Sequence, residues 1–318
     1  MRAIVLERFG GPEVLELKEI DRPAPGPGEV LVRVICAGTN PVDAKLRQNA
    51  GWAGLTPPLV VGYDASGVVE EVGPGATGFA PGDEVYYMDE IFGNPLGTYA
   101  EYNAVPARIV AHKPRTLSHE QAAAVPLAGG TAWEAIVRRL NVRPGETVLI
   151  HGGAGGVGSF AVQFAKAAGA RVLATASARN QDVLRELGAD VPIDYGAEDF
   201  AEVALRESGG RGVDAVFDTV GGDLVKRSIP ATRPFGRLAC ILTPEGTLGG
   251  LSSRNQTLHG IFVMREAERL REMAAVIDQG RCRPLIGETM PLEDVRRAHE
   301  RLDSGHGTGK VILRVSEG

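Results

Sequence analysis

The chain has 318 residues, enough for about two domains and a sizeable core in each. With 43% apolar and 23% charged residues it fits a soluble globular protein, and no apolar run reaches membrane-spanning length. A net charge of −6 with dispersed acids offers no basic surface for nucleic acid, and three distant cysteines support neither a disulfide framework nor a zinc knuckle.

The opening stretch MRAIVLERFGGPEV breaks its apolar run early, unlike a secretory signal, so a cytoplasmic protein is expected. Residues 1–110 then read as short strands: RAIVL, VLELKEI, EVLVRVICAG, SGVVEEVG and DEVYYM. Gly/Pro-rich turns such as DRPAPGPGE and GPGATGFAPGD separate them, which predicts a barrel or sandwich. Val42 to Gln48 predicts a helical turn within it, and Cys36 and Cys240, inside apolar runs, read as buried small hydrophobes.

Ser118-x-x-Gln121 has the spacing of a capping box and opens an Ala-rich helical run, followed by helical spacing from Thr131 to Leu140. From Thr147 strands and helices alternate: TVLIH, VGSFAVQFAKAAG, RVLAT, QDVLRELG, VPID, EDFAEVALRES, VDAVFD and GRLACIL. That alternation predicts right-handed crossovers and a parallel sheet, an α/β class. Glu266 to Gln279 predicts a helix with Leu270, Met273, Ala274 and Ile277 on one side, before GETMP, a helix from Leu292 to Leu302 and a last strand, KVILRV. This final segment is expected to rejoin the first domain.

Between a strand and a helix lies HGGAGGVG, His151 to Gly158, with five glycines in eight residues. Gly153-x-Gly155-x-x-Gly158 fits G-x-G-x-x-G, whose glycines make the turn, admit a pyrophosphate and let helix pack on strand. The whole loop, Gly153, Ala154, Gly155, Gly156, Val157 and Gly158, is therefore the candidate dinucleotide cradle, with the helix dipole aimed at the phosphates. An NAD site usually carries an acid about twenty residues on. Ala174 to Asn180 hold none; Ser177 can donate a hydrogen bond and Arg179 can pair with a phosphate. NADP(H) is therefore expected over NAD(H).

Several blocks in order carry a resemblance over nearly the whole chain: GTNPVDAKLR (38–47), PLVVGYDASGVVEEVG (58–73), GDEVY (82–86), GTYAEY (97–102), AAAVPLAGGTAWEAI (122–136), the glycine loop, DAVFDTVGG (214–222) and GKVIL (309–313). The sequence resembles the zinc-independent medium-chain dehydrogenase/reductases of the quinone oxidoreductase, or zeta-crystallin-like, group. The resemblance implies a GroES-like β-barrel catalytic domain from residues 1–121 and 265–318 and a Rossmann domain, a doubly wound parallel sheet, from 122–264. It implies an active site in the cleft between them and a homodimer or homotetramer built on the Rossmann sheet edge.

It also implies roles. Asn40 and Thr131 match residues near the nicotinamide, and Tyr195 matches an aromatic beside the 2′-phosphoadenosine. Thr219, Val220, Leu242 and Thr243 follow strands at the carboxyl edge, and Phe262 and Val263 match the backbone that holds the carboxamide. Zinc relatives carry Cys where this chain has Asn40 and His where it has Tyr63, and their four-cysteine lobe is missing, so no metal is expected.

Without a Lewis acid, suitable acceptors are those that delocalise added charge: quinones and α,β-unsaturated carbonyls. Asn40 and Tyr63 are the candidate polar groups facing such a substrate, Tyr63 as a proton or hydrogen-bond donor, though a Tyr packed in the cleft is an equal alternative. Asp43 and Asp64 are expected as structural carboxylates, and Trp52, Tyr87 and Phe92 as apolar walls or core. The GYD variant, Gly62 to Asp64, is similar to the alkenal-reducing branch. Two other functions stay open: a weakly active dinucleotide-binding structural or regulatory protein of crystallin type, and a zinc alcohol dehydrogenase.

Overall fold

Short β-rich runs, several of them buried almost end to end, lie between Gly/Pro turns and form the first strands: β1 (Arg2–Leu6), β2 (Leu15–Glu19), β3 (Glu29–Gly38), β4 (Leu59–Val60), β5 (Asp64–Val72), β6 (Glu84–Met88), β7 (Tyr102–Pro106) and β8 (Val110–His112). A computed structural model describes residues 1–305 and 307–317. Helix α1 (Pro41–Gln48) follows β3, and α2 (His119–Ala123) begins at the expected capping box. There Ser118 N–H donates to Gln121 Oε1 at 3.0 Å and Gln121 N–H to Ser118 Oγ at 3.3 Å.

After α3 (Pro126–Trp133) come β9 (Thr147–His151), α4 (Gly156–Ala167), β10 (Arg171–Ala176), α5 (Gln181–Glu186), β11 (Val191–Asp194) and α6 (Phe200–Glu207). Next are β12 (Val213–Asp218), α7 (Leu224–Ala231), β13 (Thr232–Cys240), α8 (Gly250–Ser253) and β14 (Thr257–Gly260). The chain closes with α9 (Ala267–Asp278), β15 (Ile286–Pro291), α10 (Val295–Asp303) and β16 (Lys310–Arg314).

These elements divide into two units, one of 1–128, 264–279 and 284–318, the other of 129–263 and 280–283. The first unit holds an antiparallel sheet ordered β2-β1-β4 and a seven-stranded sheet along β15-β16-β3-β5-β6-β8, with β7 also on β3. β3 is buried along most of its length because strands flank it and Ala123 and Ala124 pack on Ile35, Cys36 and Ile312. The second unit is a six-stranded sheet ordered β11-β10-β9-β12-β13-β14, parallel throughout. That order is the doubly wound pattern, with its reversal between β9 and β12.

The unit boundaries depart from the expected 121/122 and 264/265. Residues 122–128 stay with the first unit because Ala123 and Ala124 complete its core and Leu127 N–H donates to Asp64 Oδ1 at 3.0 Å. Residues 280–283 return to the second because Gln163 brackets Arg283, donating to its carbonyl at 2.8 Å and accepting from its N–H at 2.9 Å. β14 has no counterpart in the sequence reading. TLHG is too short and too evenly half-exposed to show a period.

Candidate functional site

In the second unit, the loop from β9 to α4 is shaped by close approach. The residue with left-handed backbone is Gly152, at φ +71, so it rather than Gly153 makes the turn. A Cβ on Gly152 would lie 2.7 Å from Thr219 Oγ1 and 2.9 Å from Val220 Cγ2. Gly153 packs inward, where a Cβ would stand 2.9 Å from Ala174 Cβ, and its N–H donates to Thr175 O at 2.9 Å. A Cβ on Gly158 would sit 2.1 Å from Gly152 O, so the helix rests on the loop itself. Gly155 differs: its Cβ would meet only Gly152 O, at 3.2 Å, leaving an open side.

Gly155 caps α4, and the first turn leaves the N–H groups of Gly156, Val157 and Gly158 without helical acceptors. Ala154 is buried beneath them. The open side at Gly155, the orphan donors and the dipole of a twelve-residue helix together make a cradle that fits a pyrophosphate. It stands beside the β9/β12 switch point, where a dinucleotide sits in this class of sheet.

At the carboxyl end of β10, Ser177 is half-buried, while Arg179 is exposed and makes no ion pair with a described residue. Tyr195 follows β11, is 64% exposed, and its N–H donates to Ala176 O at 3.3 Å, bringing it beside the end of β10. Ser177, Arg179 and Tyr195 therefore follow the adjacent ends of β10 and β11, with no carboxylate between Ala174 and Asn180. Thr219 Oγ1 donates to His151 O at 2.7 Å, tying the loop after β12 to the end of β9. Val220, Leu242 and Phe262 expose apolar side chains at the same carboxyl edge, with Thr243 exposed and Val263 half-buried beside them. Thr131, on α3, is buried at 6% exposure.

Two residues here escaped the sequence reading. Asp218 ends β12, and its Oδ1 accepts from Val220 N–H at 2.8 Å and Gly221 N–H at 3.0 Å, fixing the loop next to the cradle. His151 is buried, bonded to Ser228 Oγ at 3.0 Å, and burial pushes its pKa down to about 3, so it is neutral.

In the first unit, Asn40 and Tyr63 lie in the interior, at 1% and 0% exposure. Asn40 Nδ2 donates to Asp64 Oδ2 at 3.0 Å, and its Oδ1 accepts from Lys310 Nζ. Lys310 Nζ also donates to Thr39 O at 2.7 Å and stands 3.6 Å from Asp64 Oδ2. Asp43 Oδ2 accepts from Asn40 N–H at 2.7 Å and from Tyr99 Oη at 3.0 Å, so both aspartates are structural carboxylates. The cation beside Asp64 is a lysine rather than the arginine a carboxylate usually recruits.

Tyr63 belongs to the apolar core, its hydroxyl has no partner, and burial pushes its pKa well above the usual phenol range. Its position does not present the hydroxyl at the surface. Tyr87 is likewise core, donating to Asn103 Oδ1 at 2.9 Å. Trp52 and Phe92, by contrast, are about half exposed and meet edge to face at 6.0 Å. Among the described residues, no three His, Cys, Asp or Glu side chains converge as a metal site requires, and no helix is long and apolar enough to cross a membrane.

Residues 26–115 match the alcohol dehydrogenase GroES-like domain, and 187–313 match a family described as zinc-binding dehydrogenase. The chain is 34% identical to a quinone oxidoreductase of Pseudomonas aeruginosa, covering 98% of this chain and 99% of that one. It is 33% identical to a chloroplastic NADPH-dependent alkenal/one oxidoreductase of Arabidopsis thaliana, over 98% of this chain and 79% of the relative. A solved structure described as an NAD-dependent alcohol dehydrogenase superposes with a TM-score of 0.92 at 37% identity, covering 99% of this chain and 100% of that one.

Proposed function

The chain belongs to the zinc-independent medium-chain dehydrogenase/reductase family of quinone oxidoreductases, a family of NAD(P)H-using oxidoreductases, and from that premise we propose that it uses NADPH to reduce quinones or the C=C bond of enones and alkenals. One observation carries the coenzyme choice: the exposed Arg179, with no ion pair to a described residue, follows β10 with Ser177, and no acid lies at that strand end. A carboxylate there would repel a 2′-phosphate; a guanidinium accepts it in two parallel hydrogen bonds.

When bound, the dinucleotide supplies a hydride to the acceptor, and solvent supplies the balancing proton. The protein positions. The α4 N-terminus with Gly153, Ala154, Gly155, Gly156, Val157 and Gly158 takes the pyrophosphate. Thr131, Thr219, Val220, Leu242, Thr243, Phe262 and Val263 are proposed along the rest of the dinucleotide. Asn40 is proposed near the acceptor and the nicotinamide ribose.

A weakly active dinucleotide-binding protein of crystallin type keeps the same cradle, and the burial of Asn40 and Tyr63 is the observation in its favour. One assay decides. Loss of nicotinamide absorbance is followed with NADPH and with NADH against a panel of quinones and 2-alkenals. Turnover with NADPH and a conjugated acceptor is expected. Binding without turnover across the panel selects the crystallin-type reading, and faster turnover with NADH reverses the coenzyme choice.

A further inference from the structure

Lysine is rarely buried, because desolvating an ammonium is costly unless acceptors surround it. Lys310 is 4% exposed. The fold brings it there deliberately: β16 pairs antiparallel with the end of β3, Ile312 opposite Gly38, and Thr39 N–H donates to Val311 O at 3.0 Å. Gly309 precedes it at φ +67, where a Cβ would lie 2.4 Å from Leu285 O. Only a glycine lets the chain turn there and deliver the next side chain inward.

The ammonium donates to Thr39 O at 2.7 Å and to Asn40 Oδ1, and Asp64 Oδ2 faces it at ion-pair distance, 3.6 Å. Asp64 then accepts from Asn40 Nδ2 at 3.0 Å and from Leu127 N–H at 3.0 Å. The ring closes only one way. A lysine can donate but not accept, and a carboxylate can accept but not donate. Turning the Asn40 amide over would set NH₂ against the ammonium and oxygen against the carboxylate. We propose that Lys310 is a positioning residue that locks the Asn40 carboxamide in a single orientation. One Nδ2 hydrogen goes to Asp64; the second has no acceptor among the described residues and is held ready for a ligand.

This rests on the proposed role of Asn40 at the acceptor. It also explains how a buried aspartate is kept neutralised without a metal, since burial raises Asp64 and lowers Lys310 while each charge counters the other's shift.

The test compares Lys310→Met, Asp64→Asn and the double variant, reading Tm, NADPH Kd, KM and kcat. Lys310→Met leaves a buried carboxylate uncompensated, so Tm falls. The double variant removes both charges and recovers most of that Tm. Its kcat stays on the order of 10- to 100-fold below wild type, the range that misplacing a reacting group costs. A double variant that regains wild-type kcat along with Tm overturns the proposal, because the ion pair is then structural only. Should Lys310→Met fail to fold, the charge-balanced double variant carries the same comparison. If the wild-type chain binds NADPH but reduces no acceptor, the functional reading fails instead, and the two failures are told apart.

Discussion

Arg179 and Gly155 make opposite use of empty space. Arg179 is solvent-exposed, so its charge is screened and contributes only when a ligand desolvates it. Arg179→Ala should weaken NADPH binding about tenfold and leave NADH binding unchanged, by calorimetric titration; about 1.4 kcal/mol is modest for a charge-assisted hydrogen bond. Equal losses for both nucleotides would move Arg179 away from the ribose. Gly155→Ala meets only Gly152 O, at 3.2 Å, so the chain should fold with a Tm close to wild type and bind NADPH poorly. Gly158→Ala drives a methyl to 2.1 Å from Gly152 O, so Tm itself should fall, by about 1–3 kcal/mol of stability. Matching Tm values for the two variants would refute the division between cradle and packing contact. Tyr63→Phe removes a buried hydroxyl that has no partner, and stability should rise slightly in denaturant titration. A large drop in turnover would restore the hydroxyl to the chemistry.

Elements were legible where a period or a cap was strong. The capping box at Ser118 and the alternation from β9 to β13 stood out because each leaves a local signature. β14 did not, because its four residues are held by pairing with β13, a long-range fact. The glycine motif was legible as chemistry but not as geometry: the template puts the turn on Gly153, whereas the left-handed residue is Gly152. Lys310 was visible only as a letter of GKVIL. Nothing local says that β16 lies against the β3–α1 junction and aims that side chain at Asn40. Residues 122–128 fall with the first unit for a similar reason, since an Ala-rich helix looks alike in either unit until its packing on Ile35 and Cys36 is seen.

The whole molecule carries buried titratable groups that pull in opposite directions. Burial pushes Asp43 and Asp89 up to about 7 from an ordinary 3.8. Their folded pKa is raised, so the stability they contribute is full below about pH 4 and lost as pH rises to about 7. His151 and His299 are pushed down to about 3 from 6.5. Their contribution is present above about 6.5 and lost as pH falls. Between about pH 4 and 6.5 the two pairs offset; below about 4 the histidine loss is no longer countered by these aspartates and stability should drop. Asp43→Asn tests the sign: the variant should gain on wild type as pH rises from about 4 to 7 in denaturant titrations, and a constant gap would contradict it. NADPH at about 100 times its Kd should add about 2.7 kcal/mol to the unfolding free energy. Hydrogen exchange should show that protection first in 147–260.

The three thiols complete the picture. Cys36, Cys240 and Cys282 are all interior, and burial raises each, Cys36 and Cys282 to about 12. Quinones and enones are soft electrophiles that alkylate accessible thiolates, and at neutral pH this chain presents essentially none. On the proposed activity, that burial would insulate the protein from alkylation by its own acceptors. Prolonged incubation with excess alkenal should leave the intact mass unshifted until the protein is unfolded, when three Michael adducts should form.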